Sequence, residues 1–563
     1  MPDARCQTPE SVSGIWCLAS GVPPVTGTAD FVFRNGRVFC ADAARSWAES
    51  VAVAGARIIA VGGWSEVSTT VGRATEVVDL DGRYLGPGFQ DAHVHPHTGG
   101  RRMVTCDLTD AADATDALAR IAAYAAAHPD EAWIQGGGWQ FSWFAGGMPS
   151  AALLDGVVSD RPVYLRVTDG HAGWANRAAL EIAGIGAASP EPRHGRIERL
   201  GDGRPQGTLQ EEGGMALVER VLPPESDADV ERALLAAQDH LLGLGITAWQ
   251  DAAVGERLHR AYRRLDADGR LVASVRGALW WDPDAGLEQL DAFEAMRAES
   301  SGRYRAGAVK LMLDGVCENF TARTLTPYLD RAGRPTGNHG MDYLDPTALP
   351  GIVTAIMERG FQPHFHALGD AAVRAALDAV EAARATLGWT DVRPHLAHLQ
   401  IVHPADIPRF GRLGVVVNAQ AAWACADAAM VDLTLPFLGE PRASWQYPFG
   451  DLLRSGATMA MGSDWSVSTA DPMAQIDVAV HRRVPGDDSE FLPEQRISLA
   501  DALAGFTAGS AYVNHRDADS GAIRPGALAD LVILDGDPFF GDDISSIRVH
   551  TTIVGGRTVP RPR

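Results

Sequence analysis

The chain has 563 residues, long enough for two or three hydrophobic cores at roughly 150 residues per domain. Hydrophobic residues make up 46% and charged residues 21%, as in an ordinary globular protein, and the net charge of −22 disfavours nucleic acid and anionic membranes as partners. No stretch reaches the roughly 18 apolar residues of a spanning helix, and the six scattered cysteines, with no CxxC pair, suggest neither a disulfide framework nor a zinc knuckle, so a reducing cytoplasm is the expected location.

Residues 1–28 read as an N-terminal extension. Their early acids and short apolar patch make a poor secretory signal. Residues 29–86 hold short alternating strands in "DFVFRNGRVFC", "SVAVAGARIIAVGG" and "EVVDLDGRYL", with hairpin signals at "RNGR" and "DGR", where Asn and Gly tolerate positive φ. The far end repeats that style in "ADLVILDGDP" and "TTIVGGRTV". The simplest arrangement is one small β-sandwich built from 29–86 and 517–563, with residues 87–516 inserted between its halves.

That middle alternates eight apolar, β-rich runs with helical segments. The runs are 88–95, 245–252, 271–281, 307–313, 361–367, 393–399, 414–420 and 457–465. Strand–helix alternation carried through eight strands predicts an α/β fold, a (β/α)8 TIM barrel. The roughly 150 residues between the first two runs exceed any single crossover, so 97–225 is expected to be an insertion over the barrel mouth.

Polar residues fall on these runs in a pattern. The first ends in His93-Val94-His95, where a strand period of two points both imidazoles to one face. The fourth, "GAVKLML", holds Lys310, the only lysine in the chain; the other 48 of its 49 basic residues are arginines. The fifth carries His364 and His366, the sixth His395 and His398, and the eighth ends at Asp464. Any one histidine at a strand end is more often packed core than ligand. The set carries more weight, because the C-terminal ends of barrel strands converge on one face, and several histidines with a carboxylate suit a divalent transition metal.

"LGPGFQDAHVHP", "AVKLMLDG", "HFHALGD", "HLAHLQIV", "MGSDWSVSTADPM" and "SGAIRPGALADLVILDGDP" together resemble the amidohydrolase superfamily, in the branch that includes the N-substituted formamide deformylases, from about residue 30 to the C-terminus. The resemblance implies one or two divalent ions per chain, usually zinc, with a strand-four lysine carboxylated by CO2 to bridge them; two zinc ions are the expectation here. His93, His95 and Asp464 match the ligands of one metal, His366 and His398 those of the other, and Lys310 the bridge. Spacing alone does not choose between His364 and His366 or between His395 and His398; the resemblance selects His366 and His398. A carbamate explains why lysine is kept where arginine is otherwise used, since carbamate formation needs a neutral primary amine and guanidinium stays protonated. The mechanism implied is attack by a hydroxide held between the cations, with Asp464 as the proton acceptor.

Weaker signals remain. "DGHAGWAN" makes His171 a candidate substrate contact, and "GGGWQFSWF" offers Trp139 and Trp143 as apolar walls, joined by Trp174, Trp423 and Trp465. "NAQAAWACAD" departs from the family's commoner Gln-Pro start in the loop after strand seven. The expected partner is a small molecule, a neutral N-substituted amide or formamide, with no nucleic acid or membrane and a homodimer as the candidate assembly. The competing readings are a mononuclear deaminase on the same scaffold, which generally lacks the strand-four lysine, and a non-hydrolytic lyase or isomerase.

Overall fold

The structure is a computed structural model that describes residues 27–560 except 145–147, 169, 171, 193, 194 and 542. All but two residues of the expected N-terminal extension lie outside it. The chain folds as mixed α/β, dominated by a nearly closed parallel sheet of eight strands. In chain order these are Phe89–Val94, Ile246–Val254, Ser274–Trp280, Tyr304–Met312, Gln362–Ala367, His395–His398, Val416–Ala419 and Met459–Met461, each paired with the next. They are mostly shorter than the apolar runs that predicted them, so His95 and Asp464 fall just beyond strand ends.

The crossover helices show why the alternation works. In Asp370–Leu387 the buried residues Ala372, Val373, Ala376, Leu377, Val380 and Ala383 recur at helical spacing, and Gly388 ends the helix at φ +76°. Helix Asp227–Gly243, which leads into the second strand, opens with a capping box between Ser226 and Asp229. No helix among the described residues is long and apolar enough to cross a membrane.

The seam between the eighth and first strands is made by residues of the mouth. Asp464 N donates to His93 O at 2.7 Å and His95 N to Trp465 O at 2.7 Å. Gly462 permits that approach, since a Cβ there would lie 2.6 Å from His93 N. Asp91 Oδ1 adds a cross-tie, accepting from His93 N at 2.9 Å and Ser463 N at 3.0 Å.

Three further sheets flank the barrel. Between the first two barrel strands runs a six-stranded sheet, in the order Arg196–Arg199, Pro205–Gln210, Ala172–Ala175, Val163–Val167, Ile134–Trp139, Cys106–Asp107. It has its own core, including Leu108, Ile121, Leu165 and Trp174. The two chain ends meet where Leu531–Leu534 lies antiparallel to Tyr84–Pro87, in a second six-stranded sheet. A four-stranded sheet packs on it through a shared core that includes Phe33, Val51, Ile58, Leu85, Leu531 and Ile553.

Candidate metal centre

Strand ends bring the chemistry-bearing side chains to one mouth, and two of them sit on strained backbone. Asp464 has φ +54° and His398 φ +77°, followed by Leu399 at +55°. Left-handed backbone at a residue with a Cβ costs on the order of 1–3 kcal/mol and persists where surrounding structure imposes it. Here the imposing contacts are the seam bonds at Asp464 and, at His398, a main-chain N–H held 2.6 Å from Gln420 Oε1.

Asp464 is the hub. Its Oδ1 lies 3.3 Å from His93 Nε2 and 3.1 Å from His95 Nε2, and its Oδ2 lies 3.9 Å from His398 Nδ1. One ring nitrogen each from His93 and His398 and one carboxylate oxygen of Asp464 all fall within 4.8 Å of one another. His93 Nε2 and Asp464 Oδ1, 3.3 Å apart, are both buried and make no hydrogen bond, and His398 Nε2 is likewise buried without a partner. A buried polar atom without a partner costs about 1–3 kcal/mol, so the His93–Asp464 pair calls for a ligand. The donor set fits a divalent cation: two atoms each about 2.05 Å from a tetrahedral ion stand about 3.3 Å apart, the separation found for His93 and Asp464.

Electrostatics agree with that fit. Burial first, then the Lys310 charge, pushes His93 down to about 3, and burial holds His366 and His398 well below the ordinary range, so the imidazoles are neutral and carry lone pairs. Burial alone would raise Asp464, but the His93 and His95 rings outweigh it and hold the carboxyl well below its usual value. Lys310, only 2% exposed, lies beside His364 in register. Burial pushes its amine down to about 8, with Asp464 opposing.

The paired histidines differ in what their nitrogens do. His364 uses both, Nδ1 at 2.7 Å from Gln250 Oε1 and Nε2 at 2.8 Å from His93 Nδ1. His395 does likewise, with Nε2 at 3.0 Å from Gln250 Oε1 and Nδ1 at 3.1 Å from Asn418 Nδ2. His366 and His398 face each other at the mouth, ring centroids 4.4 Å apart, and His366 Nε2 lies 3.3 Å from Gly315 O and 4.0 Å from Asp314 Oδ1. Asp314 is fully buried and accepts from the main-chain N–H groups of Arg323, Leu368 and Gly369, which pins the loop beside the mouth.

The expected aromatic walls need correcting. Trp139 and Trp174 are fully buried inside the core of the inserted sheet, their indole N–H groups bonded to Leu165 O and Ser150 O, with ring centroids 6.1 Å apart. Both fill that core rather than line a cavity, and Trp143 packs on the same cluster. Trp465 stacks on His240 at 4.8 Å. Trp423 has its ring centroid 6.0 Å from that of the expected ligand His398. His171 lies outside the described residues. Sequence reasoning passed over Gln250, Asn418 and Gln420, although amides in apolar strand runs were a usable signal.

The sequence pattern of the amidohydrolase family matches residues 76–560. Among curated proteins, the chain is 32% identical over 555 residues to Protein LONG AFTER FAR-RED 3 of Arabidopsis thaliana, covering 96% of this chain and 93% of that one. It is 27% identical over 545 residues to N-substituted formamide deformylase of Arthrobacter pascens, covering 94% and 98%. Among solved structures, a metal-dependent hydrolase from Pyrococcus horikoshii superposes with a TM-score of 0.73 at 26% identity, over 91% of this chain and 99% of that one.

Proposed function

The chain belongs to the amidohydrolase family, and on that premise we propose that it is a metal-dependent hydrolase opening the C–N bond of a small, neutral N-substituted amide or formamide. The observation that carries the reading is the convergence of buried His93, His398 and Asp464 donor atoms within 4.8 Å of one another, with His93 Nε2 and Asp464 Oδ1 left without a hydrogen bond. In this reading His93, His95 and Asp464 would hold one ion and His366 and His398 a second, and Lys310, carboxylated on Nζ, would offer its carbamate oxygens to the same centre. A bound divalent ion supplies Lewis-acid chemistry, polarising a carbonyl and making water more acidic. Asp464 takes the proton of the attacking water and delivers it to the leaving nitrogen. Trp423 offers an apolar face beside His398, its ring centroid 6.0 Å away.

Metal content of four single variants tests the ligand assignment. At saturating zinc, His366→Ala and His398→Ala are expected to lose bound metal measurably, while His364→Ala and His395→Ala stay close to two ions per chain. Plasma mass spectrometry reads the difference, and the opposite pattern would mean that the wrong member of each pair has been chosen.

A second reading has one observation in its favour. Nitrogens of His93, His95 and His398 all lie within 3.9 Å of Asp464 oxygens, whereas His366 lies off toward Gly315 O. That set suits a single ion, as in a mononuclear deaminase. One tightly bound metal per chain, with no carbamate signal after labelling with 13CO2, would favour it over the binuclear hydrolase.

Substrate class rests on two supports. One relative carries the name N-substituted formamide deformylase, and the aromatic side chain beside the expected ligands is apolar. N-benzylformamide-like compounds are therefore expected to be cleaved in preference to N-acyl amino acids and cyclic imides by the metal-loaded enzyme. A clear preference for the anionic N-acyl amino acids would overturn this substrate class and leave the hydrolase reading standing.

A further inference from the structure

Beneath the mouth lies a buried polar network whose hydrogen bonds have a direction. It starts at Gln362, whose Nε2 donates to two main-chain carbonyls, Arg393 O and Val513 O, both at 2.8 Å. Two carbonyl acceptors fix which end of that amide is nitrogen, so Gln362 Oε1 faces Gln250 Nε2 at 3.2 Å. Gln250 Nε2 also lies 3.2 Å from Asn514 Oδ1. With its nitrogen spent on two acceptors, Gln250 turns Oε1 toward His364 Nδ1 and His395 Nε2, at 2.7 and 3.0 Å.

The consequence propagates ring by ring. A carbonyl oxygen only accepts, so both imidazoles present N–H to it. A neutral imidazole carries one N–H, which leaves His364 Nε2 bare. That atom lies 2.8 Å from His93 Nδ1, so His93 must carry its proton on Nδ1 and keep a lone pair on Nε2. His395 Nδ1 is bare in the same way and accepts a hydrogen bond from Asn418 Nδ2 at 3.1 Å, while the other N–H of that amide donates to Ala92 O at 2.9 Å. Every member is fully or almost fully buried, so no water competes for these positions.

We propose that Gln250 is a positioning residue which, acting through His364, sets the His93 tautomer so that Nε2 is free to take a divalent cation. The proposal rests on the metal-centre reading above, and its geometry is 2.8 Å at the His364–His93 step and 3.3 Å between His93 Nε2 and Asp464 Oδ1. Outer partners of a ligating histidine commonly alter metal affinity about 10–100-fold when removed. Without the Gln250 oxygen, His364 gains no reward for holding its proton on Nδ1. Its Nε2–H tautomer would then donate to His93 Nδ1 and drive the His93 proton onto the ligating nitrogen.

The test uses the full chain, zinc as the probe and chelator competition as the readout. Gln250→Met is expected to bind zinc about 10–100-fold more weakly. Gln250→Glu should stay within about threefold of wild type, because a buried, neutral carboxylic acid presents both the accepting oxygen and a donor. Nitrogen-15 spectra of histidine-labelled, zinc-free protein should show His93 losing its Nδ1–H tautomer in Gln250→Met and keeping it in Gln250→Glu, a signature that simple loosening of the core would not give. If Gln250→Met does not fold, His364→Phe, which fills the same space without a nitrogen on His93 Nδ1, is expected to weaken zinc by the same factor. A folded Gln250→Met, or failing that a folded His364→Phe, that binds zinc within about threefold of wild type overturns the proposal, as does Gln250→Glu matching Gln250→Met in weakness. Wild-type protein that takes up no zinc removes the metal-centre reading itself and this inference with it.

Discussion

Lys310→Arg is expected to keep a cation of similar reach and yet lose bound metal and roughly 10³-fold or more of the activity, the scale on which one member of a unit acting together is missed. The reason is chemical rather than electrostatic. A carbamate forms when an unprotonated amine attacks CO2 and releases a proton, and guanidinium offers no such amine. With Lys310 pushed down to about 8, about one side chain in ten is unprotonated at pH 7, against about one in 3,000 at the ordinary value of 10.5. Burial at 2% exposure thus favours the reactive form, and the proposed carboxylation would convert a buried cation into an anion among neutral imidazoles. Lys310→Ala should be inactive as prepared and partly restored by short carboxylic acids that fill the bridging position. Metal content by plasma mass spectrometry and turnover under saturating zinc check both expectations. Near-normal turnover in Lys310→Arg would end the bridging role.

Asp464→Asn is expected to fold and to lower the rate about 10²–10⁴-fold, the usual worth of a general base. Asn keeps the size of Asp, and the seam bonds that set its backbone, Asp464 N to His93 O and His95 N to Trp465 O, belong to the main chain and survive the change. What disappears is the proposed proton acceptor and the carboxylate oxygen that lies 3.3 Å from His93 Nε2 and 3.1 Å from His95 Nε2. A thermal melt close to wild type with a collapsed rate would separate base from scaffold. A variant within about tenfold of wild type would send the proton elsewhere.

Parts of this were legible in the residue order. Eight apolar runs alternating with helical segments are enough to require a barrel-like parallel sheet, because each strand must be returned to the same end by a packed helix. Ligand-type residues at the ends of runs one, five, six and eight then have to meet, since those ends share one face. The burial of the single lysine was also legible locally, since it lies in an apolar strand, and burial lowers the pKa of an amine.

Tertiary structure decided what local spacing could not. His364 and His366 are two residues apart on one strand face, as periodicity requires, yet two residues along a strand is about 6.6 Å. That step puts His364 one layer deeper, where Gln250 and His93 occupy both of its nitrogens, and leaves His366 at the mouth beside His398. His395 is likewise taken up by Gln250 and Asn418, partners 145 and 23 residues away. The tryptophans fail as pocket markers for the same reason. An aromatic side chain next to glycines signals only that something large will be buried, and Trp139 and Trp174 are buried against each other in the inserted sheet. Periodicity in one segment states which face a side chain takes, whereas the groups waiting on that face come from elsewhere in the chain. The order of residues therefore determined the barrel, its mouth and the candidate set. Only the packing of distant strands decided which nitrogens in that set stay free.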